Sequence, residues 1–556
     1  MVLNKQTMKH FIAGPWFIFL MAALLGGIFF ISFYGVYVLN PLHIDWLMSG
    51  DSKIHYLGWD FFRRCQWTFP IGTISQLAYP FGIPLTYTDS IPLIAIPLKL
   101  VSGILPNNFQ YFGLWGLFCY MLQGGFSALI MRRWTKNMMI ILICSAIFIV
   151  SPVLMFRMFY HTALASQWII LASIWLTFEW RKIRSVNYQV LVWSTLLVLA
   201  VLIHPYFIPM VGLFFLMSII LTHHNWAGTV IKILTPVCLM LFVFWVIGGF
   251  SISEVAGSGL GAFALNLNSL VNPLGWSRFL TPMAINNNSS ESINYLGLGA
   301  LMLMPVSAYL AFAYIKDFGN LKRLVGKVKL KHISIAALTV GMCLVAIGPT
   351  IQLGDRIIAD VTLPAMVKQI LSIFRASARL FWPIYYLIIA GVLACIIKSS
   401  KNMSTALLCV FLGMIVTIQV IDIRFSSSAR EKHTMFTSTR QEGYNPSIDL
   451  SGWRNYAFGR KHVVYLDSIS IEDSYKLIDI ARRYGLTIND GYFARVPYHR
   501  VNNFKEEHRR LLIEKHSDIL NNLYITKDEG FISILKNTGS YNIDQLDGYY
   551  IISRLL

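Results

Sequence analysis

Ser49-Gly-Asp-Ser-Lys-Ile-His-Tyr-Leu-Gly-Trp-Asp-Phe-Phe-Arg-Arg64 follows the first long apolar run of the chain directly. Two acids, a histidine and two arginines stand there among aromatic residues, at the point where the chain is expected to leave a membrane. The apolar remainder holds few other acids, so acid–base chemistry is expected to start in this stretch.

The surroundings of that stretch set the class. Of 556 residues, 56% are hydrophobic and 13% charged, with a mean hydropathy of +0.57. Many runs approach the ~20 apolar residues that cross a bilayer. The net charge of +19 does not indicate a nucleic-acid partner, because residues 424–556 carry 19 Lys/Arg against 16 Asp/Glu and the surplus lies in the apolar part. There it reads as topology signals and an anion site. Seven cysteines show neither metal spacing nor a disulfide framework.

Lys5 and Lys9 precede a span over 11–39, which sets the N-terminus in the cytoplasm. An outer loop over 40–106 follows. Within it 91–105, broken by Pro92 and Pro97, reads as an interfacial or re-entrant helix. Arg132, Arg133 and Lys136, then Arg181, Lys182 and Arg184, then the lysines of 316–331, then Lys398 and Lys401 mark inner loops; His223-His224 is a neutral one. Asp317 is one of two acids on that side, and Glu254 falls in a long outer loop. About eleven spans result, with the C-terminus outside. His204-Pro205 divides 188–221 into an outward and an inward half.

From 424 onward the composition becomes that of a soluble domain. Strands are expected at 462–466, 530–535 and 549–553, and helices at 470–484 and 504–523. The expected architecture is thus a polytopic α-helical membrane domain, 1–423, and an extracytoplasmic α/β domain, 424–556.

Asp51 lies where aromatic neighbours can dehydrate a base; it can equally sit in the cap of a helix that opens at Ser49-Gly-Asp, and the roles can coexist. On such a helix His55 is the i+4 neighbour of Asp51, and Asp60 that of Arg64; His55 and Asp60 are candidate catalytic residues beside Asp51, with a local ion pair to Arg64 as the structural alternative for Asp60. Asp89, in Thr88-Asp-Ser-Ile-Pro92, has a turn explanation and matters to chemistry if its loop folds back. His161 and His204 can bind phosphate or shuttle protons at membrane edges, or be satisfied interfacial histidines. Arg157 beside apolar spans demands an anionic partner. Arg375 and Arg379, spaced i, i+4, form on a helix a fork suited to phosphate, against the alternative of lipid snorkelling. No DxD, HExxH or nucleotide-cradling glycine loop is present. A carboxylate pair can hold a divalent cation (Mg or Mn), which the sequence does not require.

The acid of the first outer loop, the Phe374-Arg-Ala-Ser-Ala-Arg379 segment before a late span and the outer C-terminal domain together resemble the bacterial GT-C glycosyltransferase superfamily. Gly50-Asp-Ser-Lys-Ile-His55, Thr88-Asp-Ser-Ile-Pro92 and Gln419-Val-Ile-Asp422 are also similar to a bacterial membrane-protein family of unassigned function. The resemblance covers essentially the whole chain. It implies an inner-membrane enzyme, a polyprenyl-phosphate sugar donor, inverting hexosyl transfer and an envelope glycan or glycolipid acceptor such as lipopolysaccharide. It carries over Asp51 as base and Arg375 and Arg379 as donor-phosphate ligands. The paired-acid motif of many relatives is absent. A transporter or flippase, or a polymerase or ligase of lipid-linked glycans, is the alternative.

Overall fold

The computed structural model describes residues 14–179, 185–222, 226–252, 261, 263–286, 291–316, 318–437, 450–515 and 521–554. Lys5, Lys9, Arg181, Lys182, Arg184, His223, His224, Glu254 and Asp317, used above as topology signals or loop acids, lie outside the described residues.

Two compact units emerge: 1–46 with 110–240 and 258–439, and 47–109 with 241–257 and 440–556. Beside the expected division at 423/424, the first unit runs on to 439, and 47–109 and 241–257 fall in the second unit. Residues 47–109, read as a loop of the membrane part, pack with the C-terminal residues.

Among the described residues eight helices are long and apolar enough to cross a membrane: Pro15–Tyr34, Phe112–Met131, Val186–Ile203, Trp226–Val246, Leu298–Lys316, Leu330–Ile347, Ser377–Ser399 and Thr405–Arg424. Met138–Ile149 and Phe207–Leu221 are shorter apolar helices. The expectation of eleven spans is thus met only at the coarser level of a polytopic helical protein. Trp168–Glu179, for instance, has 12 residues, about 18 Å of helix. Leu298–Lys316 and Leu330–Ile347 bury only 22% and 6% of their apolar windows. Surfaces so apolar need lipid to cover them.

In the first unit, helices Pro15–Tyr34 and Phe112–Met131 cross at small residues. A Cβ on Gly26 would lie 2.1 Å from the Tyr120 carbonyl oxygen, and one on Gly124 the same distance from that of Ala22. Backbone against backbone is the closest packing two apolar helices can reach. Val186–Ile203 ends where His204 turns to extended backbone, and Phe207–Leu221 starts after Pro205. The break expected at His204-Pro205 is therefore present.

The second unit is built on a five-stranded sheet ordered Thr487–Ile488, His462–Tyr465, Asn522–Thr526, Tyr549–Arg554, Tyr541–Leu546. The first three are parallel, and the last two add antiparallel. Helix Ile471–Tyr484 starts where the Ser470 hydroxyl accepts the Asp473 amide at 3.0 Å and ends on left-handed Gly485. Residues 76–79 extend the sheet edge: Ile488 donates its amide to the Gln76 carbonyl at 2.9 Å, and Tyr79 donates to the Ile488 carbonyl at 2.9 Å.

Two expectations in this unit are corrected. The helix expected at 504–523 is Tyr498–Ile513, and Leu523 lies in strand Asn522–Thr526. The strand expected at 530–535 belongs to helix Glu529–Thr538. Its caps outweigh the β-branched Ile532 and Ile534. The Asp528 carboxylate accepts the Phe531 amide at 3.0 Å, left-handed Gly539 closes the helix, and Phe531, Ile532 and Leu535 share the buried face.

Candidate functional site

In the first unit the helix Met138–Ile149 stops before Pro152, and the short helix Pro152–Arg157 ends on the first functional side chain. Arg157 is 1% exposed. Its guanidinium lies over the Phe156 ring at 4.4 Å and near that of Trp382 at 5.9 Å. The anionic partner it demands is Glu291: Nη1 donates to Oε1 at 3.1 Å and Nη2 to Oε2 at 2.5 Å. Arg379 donates to the same Oε2 from Nε at 3.1 Å and from Nη2 at 2.9 Å, and its guanidinium stands over the Tyr206 ring at 5.0 Å.

Burial raises the Glu291 carboxyl, but Arg157 first, Arg379 next and the nearby His161 outweigh it and hold it well below the usual carboxylate range. Glu291 is thus an anion shared by two guanidiniums and a weak base.

The expected fork of Arg375 and Arg379 on one helical face is not formed. Helix Ala365–Ser372 ends, and Ser377–Phe381 is a separate 3-10 turn. The amide of Ala376 goes to the Tyr206 hydroxyl at 2.8 Å instead of to a helical carbonyl. Arg375 is exposed, over the Phe263 ring at 5.1 Å, while Arg379 turns in to Glu291. His204 is buried, and its Nδ1 accepts the Tyr206 amide at 3.1 Å.

A further cation stands in the same unit. Lys432, 1% exposed, donates to the Met155 and Phe156 carbonyls at 2.7 and 2.8 Å, at the C-terminal end of helix Pro152–Arg157. Burial pushes its ammonium well down, and Arg157 adds to that. The residues around Glu291 are anchored by the Gln419-Val-Ile-Asp422 motif. Asp422 accepts from the Ser277 hydroxyl, the Tyr295 hydroxyl at 2.9 Å and the Leu298 amide at 3.1 Å. The Gln419 amide donates to the Leu296 carbonyl at 2.9 Å.

In the second unit, Gly50–Arg64 is a helix with Ser49 at its N-cap position, as the capping alternative expects, though the Ser49 hydroxyl makes no cap bond. Asp51 is half-buried in its first turn, where the helix dipole favours a carboxylate. It lies close enough to Tyr475 to add to the burial that raises that phenol. Asp60, 1% exposed, has both oxygens engaged: Oδ1 by Arg64 at 3.0 Å and Oδ2 by Arg482 at 2.9 Å. Both Asp60 oxygens are thus held by arginines.

The Asp89 loop folds back onto His55. The His55 Nε2 stands 3.5 Å from Asp89 Oδ2. The Ser90 hydroxyl donates to the His55 carbonyl at 2.7 Å and meets that of Thr88 at 2.8 Å. Only glycine at position 58 admits this turn, since a Cβ there would lie 2.3 Å from Thr88 Oγ1. Asp89 and Ile91 both take positive φ, 53° and 50°. For Ile91 that is a costly conformation, held by the surrounding bonds so that Asp89 meets His55.

Glu291 is legible in the sequence only through the demand of Arg157 for an anionic partner. Lys432 carried no signal.

Residues 23–424 match the family model described as "Domain of unknown function (DUF6311)". Residues 452–554 match the one described as "DUF6311 C-terminal domain". No curated protein matches the chain.

Proposed function

The chain belongs to the DUF6311 family, and we propose that it is an integral membrane glycosyltransferase of the GT-C kind, taking a sugar from a polyprenyl-phosphate donor. The acceptor is a cell-envelope glycan or glycolipid on the extracytoplasmic face of a bacterial inner membrane. The observation that carries this reading is the Arg157–Glu291–Arg379 cluster. Two guanidiniums sharing one carboxylate leave a net positive charge in an aromatic-walled, nearly dry place. Glu291 there occupies the position a phosphate oxygen would take.

In this mechanism an acceptor hydroxyl attacks the anomeric carbon. The bond from that carbon to the phosphate oxygen breaks, its electron pair leaves with the lipid phosphate, and the configuration inverts. The hydroxyl proton passes to a carboxylate base; Glu291 is held too acidic to accept it, and Asp51 is the candidate that the resemblance carries over. Arg379, and Arg157 behind it, meet the departing charge; one such donor lowers the barrier by about 3–4 kcal/mol.

The test is transfer of radiolabelled sugar from polyprenyl-phosphate donors in proteoliposomes. Arg379→Ala is expected to lower transfer about a hundredfold or more. Asp51→Asn is expected to abolish it with donor binding intact. Transfer that survives in Asp51→Asn removes Asp51 from the mechanism. Donor that crosses the bilayer unconsumed by the unmodified protein replaces the enzyme with a flippase.

A further inference from the structure

The C-terminal sheet has a point where the chain reverses its direction of travel. From His462–Tyr465 it runs through helix Ile471–Tyr484 to Thr487–Ile488 on one side. It then runs through Tyr498–Ile513 to Asn522–Thr526 on the other. The loops that leave the carboxyl ends of His462–Tyr465 and Asn522–Thr526 therefore part, and a crevice opens between them. In open α/β sheets that is where ligands bind.

A cleft of about 680 Å³ lies there, lined by Asp467 and Ser468 of the first loop, Lys527 and Asp528 of the second, and Asn502 and Arg509 of helix Tyr498–Ile513. That volume is within the roughly 300–1,000 Å³ of small-molecule sites. Its polar groups are fixed before any ligand arrives. Arg509 bridges Asp467 at 2.6 Å and Asp528 at 2.8 Å. Asp467 also accepts from the Thr526 hydroxyl at 2.7 Å and the Lys527 amide at 2.5 Å. Lys527 reaches Asp473 at 2.6 Å, and Lys505 donates to the Asp467 carbonyl at 2.6 Å. Asp473 and Lys505 are each 5% exposed.

The charge pattern selects among ligand classes. Asp467, Asp473, Glu506 and Asp528 face Lys505, Arg509 and Lys527, so acids outnumber bases and a phosphate or nucleotide is repelled. The loop Leu466-Asp-Ser-Ile-Ser470 has no glycine to bring backbone amides to a phosphate. Asp467, Asp473 and Asp528 each already have a cation at hydrogen-bond distance, so a divalent ion would have to displace it. A polyhydroxylated neutral molecule fits, because each hydroxyl can donate to a fixed carboxylate and accept from a fixed ammonium or guanidinium.

We infer that the cleft at the carboxyl ends of His462–Tyr465 and Asn522–Thr526 binds a neutral saccharide. Its role as the acceptor glycan rests on the transferase reading above; the binding itself does not.

The experiment is saturation-transfer difference NMR on the full-length protein in detergent micelles. The probes are glucose, galactose, mannose, rhamnose, N-acetylglucosamine and lactose. Saturable transfer to one or more sugars is expected, unaffected by inorganic phosphate or magnesium. The exposed lining residues Asn502 and Glu506 can be replaced without disturbing the core. Asn502→Ala and Glu506→Ala are expected to weaken binding about tenfold each, the worth of a lost polar contact. Silence from every sugar, unchanged binding in both variants, or displacement by phosphate or magnesium overturns the inference.

Donor turnover in the same preparations separates the two readings. A protein that binds sugar but consumes no donor keeps the cleft and loses the transferase. One that turns over donor but binds no sugar keeps the transferase and loses the cleft.

Discussion

Glu291 carries the consequences at the residue scale. Glu291→Gln leaves Arg157 buried without its counter-ion, and removing one partner of such a pair typically costs about 3–5 kcal/mol. A lower melting temperature, restored by millimolar inorganic phosphate, is the expected result; a melting temperature indifferent to phosphate would mean that the cluster is only structural. The pH dependence has a definite sign. The folded carboxyl is held below its ordinary value, so its contribution is present above about pH 4.3 and is lost as pH falls through the folded value. The difference in stability between the unmodified protein and Glu291→Gln should therefore be flat from pH 8 to 5 and shrink below about 4. Legibility at this scale was uneven. Arg157 announced a buried anion because an apolar setting makes a bare guanidinium expensive. The fork of Arg375 and Arg379 misled, because spacing in sequence becomes a shared face only where the backbone is helical, and here the Tyr206 hydroxyl takes the amide that would have continued the helix.

Close approach governs the element scale. The turn that holds Asp89 against His55 rests on the missing side chain of Gly58. Gly58→Ala forces Thr88 and Ser90 aside, at a cost of about 1–3 kcal/mol, and should lower the melting temperature. Gly124→Leu, which pushes a side chain into the Ala22 carbonyl, is expected to reduce folded yield in detergent more severely. Most helices could be read from apolar length alone, since a bilayer leaves the backbone no other way to satisfy its amides. The short elements could not. Caps at Asp528 and Gly539 overruled a β-rich composition, and strand Tyr541–Leu546 escaped because its edge position leaves no clear apolar alternation.

For the whole molecule, what composition could not reveal is which distant segments pack together. Helix Gly50–Arg64 is tied to helix Ile471–Tyr484 by Lys53–Asp479 at 2.6 Å, each side chain under a tenth exposed, and by Asp60–Arg482. Lys53→Asp alone should destabilise the protein by about 3–5 kcal/mol, and the exchange Lys53→Asp with Asp479→Lys should recover a substantial part of it. Melting curves of both single variants and the double variant measure the coupling. Full additivity would show that the Lys53–Asp479 pair contributes nothing to holding the two helices together.

The pairing of residues 76–79 with the Thr487–Ile488 edge has a consequence for synthesis. The ribosome delivers the early partner long before the late one exists. That early segment must therefore wait, unpaired, through the insertion of nearly every apolar helix. A strand edge left open for so long invites aggregation, so a nascent chain cut short before Thr487–Ile488 is expected to be cleared by proteases, not stored.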